Sequence, residues 1–288
     1  MAEPMHKRVP VADDVELQVL DWTQPGAHDR PMVLVHGLAS NARMWDGVAA
    51  ELAALGHPVV SIDLRGHGRS DKPDDGYDLA TVADDLRTLL DLLAFERPVV
   101  AGQSWGGNVA IALAHRHRGR TAGIACVDGG IIELADRFPD WDDCAERLAP
   151  PRLEGIAQTR MEAVMRSAHP DWPESGIAGS LANFEVLDDG TIRPWLTFDR
   201  HMKILRGLWE ERPSARFPEL VESVLFLPAG GTGEVSWTID KRAAIERAEA
   251  QLAKSRTVWT TGDHDLHAQF PERIAELLHA SATDGFFA

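Results

Sequence analysis

The segment Gly102-Gln103-Ser104-Trp105-Gly106 sets a serine two residues from a glycine on either side. A serine hydroxyl becomes a competent nucleophile when a neighbouring base takes its proton, so this reading of Ser104 requires a histidine. The stretch Gly262-Asp263-His264-Asp265-Leu266-His267 supplies two. His264 follows the last expected strand, on a loop at the same carboxyl edge of a sheet as the turn carrying Ser104, and is expected to be the base, with His267 a hydrogen-bonding or surface residue. An acid must then orient the imidazole and stabilise its charged form. Carboxylates in loops after expected strands are candidates, among them Asp128 in Cys126-Val127-Asp128-Gly129-Gly130 and Glu234 at the end of the glycine-rich run 228–234, and the choice between these two is taken up with the family resemblance below. Asp128 also has a structural alternative, capping backbone N–H groups at a sheet edge. Acyl transfer further needs donors for an oxyanion. The backbone N–H of Trp105, beside the nucleophile, is one candidate. The N–H of Leu38 in His36-Gly37-Leu38 is the other, with His36 expected to hold that loop by hydrogen bonds.

These residues need a scaffold that brings them to one edge. Short apolar runs at 31–35 (PMVLV), 58–64 (PVVSIDL), 98–103 (PVVAGQ) and 123–127 (GIACV) read as strands buried on both faces. Helical spacing of apolar residues separates them at 44–55, 79–93 and 106–117. Residues 15–22 alternate like an edge strand. Strand–helix alternation of this kind implies parallel pairing through right-handed crossovers, hence an α/β, doubly wound, mostly parallel sheet. The alternation stops after Asp128 and resumes with 223–228 (SVLFLP), a helix over 240–254, a last strand at 257–261 (TVWTT) and a last helix at 271–280. The reading therefore divides the chain into a core, 1–130 and 221–288, and an inserted helical cap, 131–220. Ser104 falls where a buried strand turns sharply into a helix. Backbone two residues before and two after approaches closely there, which glycine tolerates.

A net charge of −16 opposes polyanionic partners, so neither nucleic acid nor an anionic membrane surface is expected. Hydrophobic residues at 44% and charged residues at 26% fit a globular domain. No run of 18 apolar residues suggests a membrane span. Nothing at the N-terminus resembles a signal peptide. The two cysteines, Cys126 and Cys144, form no disulfide framework and no metal-ligand spacing. A cytoplasmic enzyme without metal or other cofactor is the expectation.

The run VLVHGLASNARMWDGVAAELAALGHPVVSIDLRGHGRSDKP, with GQSWGG and GDHDLHAQFPERIAELL, closely resembles the α/β-hydrolase fold superfamily over about residues 15–130 and 221–280. The resemblance implies an α/β-hydrolase core with a Ser104–His264–Asp128 triad and no cofactor. In the family the base commonly precedes a helix-starting proline by seven residues, as His264 precedes Pro271. Asp128 matches the subset of the family whose acid follows the strand after the nucleophile helix, while the run 228–234 lacks the aspartate usual at the other place. Arg65, Gly66 and Gly68 of DLRGHGRSD are read as architectural. Serine at the elbow points to cleavage of a carboxylic ester or lactone. A carbon–carbon bond hydrolase, a cofactor-free perhydrolase and a non-catalytic small-molecule receptor share the same features. Trp141, Trp172, Trp195 and Trp209 with Phe138, Phe184 and Phe198 all fall in the cap. Some of them form its own core. Trp195 is the residue expected to meet an apolar substrate, an aromatic macrolactone among the candidates by resemblance to lactone hydrolases of the zearalenone type.

Overall fold

A computed structural model describes residues 3–230 and 236–287. The first half runs β1 (Met5–Ala12), β2 (Val15–Asp21), β3 (Met32–Val35), α1 (Asp46–Ala54), β4 (Val59–Ile62), α2 (Leu79–Leu92), β5 (Val99–Gln103), α3 (Trp105–Arg116) and β6 (Gly123–Val127). Then come α4 (Leu134–Arg137), α5 (Trp141–Leu148), α6 (Gln158–Ala168), α7 (Glu174–Leu181), β7 (Phe184–Val186), β8 (Ile192–Pro194) and α8 (Phe198–Glu210). The chain continues with β9 (Ser223–Leu227), β10 (Ala229–Gly230), α9 (Ser236–Glu249), β11 (Ser255–Thr257), β12 (Thr260–Thr261), α10 (Leu266–Gln269) and α11 (Pro271–Thr283).

Eight strands form one sheet in the order β1-β2-β4-β3-β5-β6-β9-β11. The pairs from β4 through β11 are parallel, whereas β1–β2 and β2–β4 are antiparallel. Successive side chains of a strand point to opposite faces, and β3 shows the consequence. Its Val33 and Val35 join Val82 and Leu86 of α2 and Val109 of α3 on one face. Its Met32 and Leu34 join Val48 and Leu52 of α1 and Ile274 and Leu278 of α11 on the other. Both faces are thus covered, the condition under which parallel sheets occur. Helix α2 begins where the Asp78 carboxylate accepts the N–H of Thr81 at 2.9 Å, an N-cap. It buries Leu86, Leu89 and Leu90 completely, each leucine giving roughly 1.5–3 kcal/mol.

The expected edge strand at 15–22 is not the edge. β1 pairs outside it, and its sequence MHKRVPVA hides the strand behind Lys7, Arg8 and Pro10. Charges and proline suit an exposed edge, where Lys7 pairs with Asp21 at 2.6 Å and Arg8 with Glu16 at 3.2 Å across the ladder. The last strand, expected as one run over 257–261, is two pieces. β11 completes the main sheet and β12 pairs with β10 beyond it.

Residues between β6 and β9 add no strand to the eight-stranded sheet. They hold the helices α4 to α8 and the hairpin β7–β8, turned by Asp188-Asp189-Gly190, with Gly190 at φ +78°. Within this insertion Trp141 and Trp209 meet edge to face at 5.9 Å, and the indole of Trp209 donates to the Phe138 carbonyl at 2.7 Å. Those aromatics form the insertion's own packing. No helix among the described residues is long and apolar enough to cross a membrane.

Candidate active site

The strand order reverses at β3, whose neighbours are β4 on one side and β5 on the other. Ligands of open α/β sheets bind at the carboxyl ends of strands where the order reverses in this way. Register aligns Val35 of β3 with Gly102 of β5, and Gln103 with Val127 of β6. The loops that follow these strands therefore lie side by side and carry Leu38, Ser104 and Asp128.

Ser104 stands between β5 and α3 at φ +52° and ψ −122°, a conformation that non-glycine residues rarely adopt. Its surroundings are cleared by glycines. A methyl group on Gly102 would collide with the backbone of Gly106, and one on Gly129 with the backbone of Ser104 itself. A methyl on Gly37 would strike the Gln103 amide and come within 3.1 Å of the Ser104 side chain. Trp105 is the first residue of α3, so its N–H belongs to the helix end that lacks intrahelical acceptors. Leu38 precedes Ala39, which is also at positive φ, +58°. His36 is fully buried and fixes this loop. Its Nε2 accepts the N–H of Leu64 at 3.0 Å, and its Nδ1 bonds the Gly37 carbonyl at 2.7 Å. Burial pushes its titration down, outweighing the nearby Asp63 charge.

Asp128 directly follows β6 at φ +45°, its N–H bonded to the Leu227 carbonyl of β9 at 3.1 Å. Its carboxylate is buried and triply engaged. Oδ2 accepts from Nδ1 of His264 at 2.6 Å, while Oδ1 accepts the Ala229 N–H at 2.9 Å and faces Nζ of Lys241 at 2.6 Å. Burial alone would raise this carboxyl. The hydrogen bond and charge of His264, with those of Lys241, outweigh it and hold Asp128 below the ordinary carboxylate range. His264 has a half-exposed side chain. Desolvation would lower its titration, but the bond to Asp128 and the charges of Asp128 and Asp265 prevail over the opposing charge of Lys241, and the imidazole titrates above its ordinary 6.5. The Gln103 amide donates to the His264 carbonyl at 3.3 Å and ties the loop carrying His264 to the residue before Ser104.

His267 departs from the expectation of a surface or hydrogen-bonding residue. It is completely buried, its ring 4.4 Å from that of Trp45, and neither ring nitrogen finds a partner among the described residues. Burial pushes its titration down to about 3, so it is a neutral packing residue. The alternative acid, Glu234, lies outside the described residues. Arg65 forms a buried bidentate pair with Asp85 at 2.5 and 2.6 Å beneath the loop after β4, and Gly66 and Gly68 take positive φ.

Trp195 lines a cleft of about 120 Å³ between Ala39 and Ser40 of the core and Phe184, Leu196 and Phe198 of the insertion. Ser104, Asp128 and His264 are not among its lining residues. Trp172 lies elsewhere, donating its indole N–H to Asp263 at 3.0 Å, while Gln269 donates to Asp171 at 2.6 Å. The insertion thereby grips both ends of the segment that carries His264. Neither this grip nor Lys241 was visible in the sequence, where a lone tryptophan and a lysine in a charged helix carry no spacing signal. No cluster of metal-ligating side chains occurs among the described residues.

A family model described as alpha/beta hydrolase fold matches residues 30–163. An uncharacterized protein of Mycobacterium tuberculosis (strain ATCC 25618 / H37Rv) is 30% identical over 252 residues, 87% of this chain and 65% of that protein. The chain thus spans somewhat under two thirds of this curated relative. Among solved structures, E-2-(acetamidomethylene)succinate hydrolase superposes with a TM-score of 0.77 at 19% identity, covering 98% of this chain and 100% of that one. A thioesterase domain from the curacin biosynthetic pathway gives 0.75 at 17% identity, with 96% and 100% covered. At these identities the likeness is one of fold.

Proposed function

We propose that this chain, whose residues 30–163 match a family model described as alpha/beta hydrolase fold, is a serine hydrolase cleaving a carboxylic ester or lactone through an acyl-enzyme. The observation that carries the reading is the 2.6 Å bond from Nδ1 of His264 to Asp128, at the same sheet edge as a serine held at positive φ. With Nδ1–H committed to the carboxylate, Nε2 is left as the acceptor for the Ser104 proton. Ser104 Oγ then attacks the substrate carbonyl, and the oxyanion is met by the N–H groups of Leu38 and Trp105. His264 returns the proton to the leaving alcohol, and water repeats the sequence to release the acid.

The insertion 131–220 acts in this proposal as a cap that selects the substrate. Support comes from the cleft it forms with the loop after β3, whose Trp195, Phe184, Leu196 and Phe198 offer apolar surface to one part of the ester. The partner is accordingly a small, partly apolar molecule. The test is p-nitrophenyl acetate turnover with active-site labelling by a fluorophosphonate. The label should appear on Ser104, and Ser104→Ala should fold normally and lose at least about three orders of magnitude in kcat. Near-native turnover by that variant would refute the serine mechanism.

A further inference from the structure

The described residues place a cation on the buried carboxylate that holds His264. Lys241, on α9, sets Nζ 2.6 Å from Oδ1 of Asp128 and donates to the Ala229 carbonyl at 2.8 Å. Its side chain is about one-fifth exposed, and the carboxylate it meets is almost fully covered. The acid needed to orient an imidazole requires one oxygen, and Oδ2 provides it. The opposite oxygen already accepts the Ala229 N–H, so a lysine there is more than hydrogen-bond completion demands.

We propose that Lys241 is a positioning residue of the active site: it fixes the Asp128 carboxylate with Oδ2 on His264, and its charge favours the neutral, proton-accepting imidazole. The inference rests on the reading of Asp128 and His264 as acid and base. Two consequences follow from the geometry. First, the carboxylate is held from both sides, by Ala229 N–H and Lys241 on Oδ1 and by His264 on Oδ2, so it cannot rotate without breaking an ion pair. Second, part of the field by which Asp128 stabilises imidazolium is cancelled by the ammonium on its far side. The charged and titratable groups facing His264 are Asp128 at the end of β6, Asp265 beside it in the chain, His267 of α10, which stays neutral, and Lys241 of α9. Two carboxylates favour imidazolium there, and Lys241 alone among these charges opposes them. Without it, the base would stay protonated to higher pH.

The test compares Lys241→Met, which keeps length and removes charge, with Lys241→Arg, which keeps charge. Two readouts are taken: the acidic limb of kcat/KM for p-nitrophenyl acetate between pH 5 and 9, and the His264 imidazole titration followed by NMR in a Ser104→Ala background. Lys241→Met should move both midpoints upward by about 0.5–1 pH unit, a screened version of the shift a charge at this range produces. Lys241→Arg should leave both within about 0.2 unit of wild type, since guanidinium carries the same charge. Unchanged midpoints in Lys241→Met would overturn the proposal, as would equal shifts in both variants, which would mark a packing effect. The NMR titration does not depend on turnover. If Ser104→Ala proved fully active, the serine mechanism would fall while the titration still decided the role of Lys241.

Discussion

Replacing Asp128 by asparagine should disable the site through a tautomer, and the direction follows from which atoms surround the carboxylate. Two donors converge on Oδ1, the Ala229 N–H at 2.9 Å and the Lys241 ammonium at 2.6 Å. An asparagine side chain has one oxygen and one NH₂ group. With two donors on one side, its oxygen must face them, and the NH₂ group is left pointing at Nδ1 of His264. That nitrogen then has to accept, so the imidazole proton moves to Nε2, the atom that should take the proton of Ser104. The base is present but in the wrong tautomer, and no charge remains to stabilise its protonated form. A loss of about 10⁴ in kcat is expected, equivalent to about 5.4 kcal/mol in the barrier. The assay is p-nitrophenyl acetate hydrolysis at pH 8 by Asp128→Asn, with thermal unfolding to verify the fold and ¹⁵N NMR to read the imidazole tautomer. A loss smaller than tenfold would refute the role of Asp128. A large loss with the proton still on Nδ1 would refute the tautomer argument.

Trp195→Ala should separate substrates by size. Its ring lines the cleft beside Phe198 and lies 5.3 Å from the Lys72 ammonium, so kcat/KM should change by less than about threefold for p-nitrophenyl acetate but fall about tenfold, some 1.4 kcal/mol, for the hexanoate. Equal effects on both esters would make Trp195 a packing residue. Asp46 concerns stability instead: desolvation raises its carboxyl from 3.8 to about 6 against the pull of Arg43. A carboxyl raised on folding stabilises the fold while protonated, and that contribution is lost as pH climbs from about 4 through about 6. Roughly two units correspond to about 3 kcal/mol. Asp46→Asn, which keeps an oxygen for the Arg43 guanidinium, should therefore gain up to about 3 kcal/mol over wild type between pH 4 and pH 7 in urea unfolding. Parallel pH profiles for the two proteins would contradict the buried-charge account.

Elements that bury apolar side chains at a regular period were legible, and elements that do not were missed. β3, β4, β5, β6 and β9 are short, largely apolar runs buried at every position, and α2 follows a single apolar stripe that starts from an Asp78 cap. β1 was overlooked because only Val9 and Val11 of its side chains are buried, which leaves too little alternation to register. β7 and β8 span three residues each, with Ile192 alone among the six fully buried; their one signal was the Asp189-Gly190 turn. The partition between His264 and His267 illustrates a different limit. Both follow the same strand three residues apart, and Asp263, Gln269 and the insertion decide which of them faces the sheet edge. Pairings of that kind join distant segments, and no local pattern encodes them.

Five non-glycine residues among those described take positive φ: Ala39, Ala94, Arg97, Ser104 and Asp128. Three of these follow β3, β5 and β6, the adjacent strands at which the site is built. A strand continued past its end would carry each side chain along the sheet, alternating between its two buried faces. Breaking extended geometry just beyond the strand, at the next residue for Ser104 and Asp128 and four residues on for Ala39, turns the chain over the sheet edge instead, at a cost of about 1–3 kcal/mol per strained residue. The neighbouring chain has to leave room for that turn. Gly102, Gly106 and Gly129 do so, since a methyl on any of them would meet main-chain atoms that cannot yield. The hydrophobic clusters on the two faces of the sheet offset the strain by fixing the registers Val35–Gly102 and Gln103–Val127. The geometry of the proposed site is thus inherited from strand register: a core substitution that let β5 slip against β6 would misplace Ser104 relative to Asp128 without touching either residue.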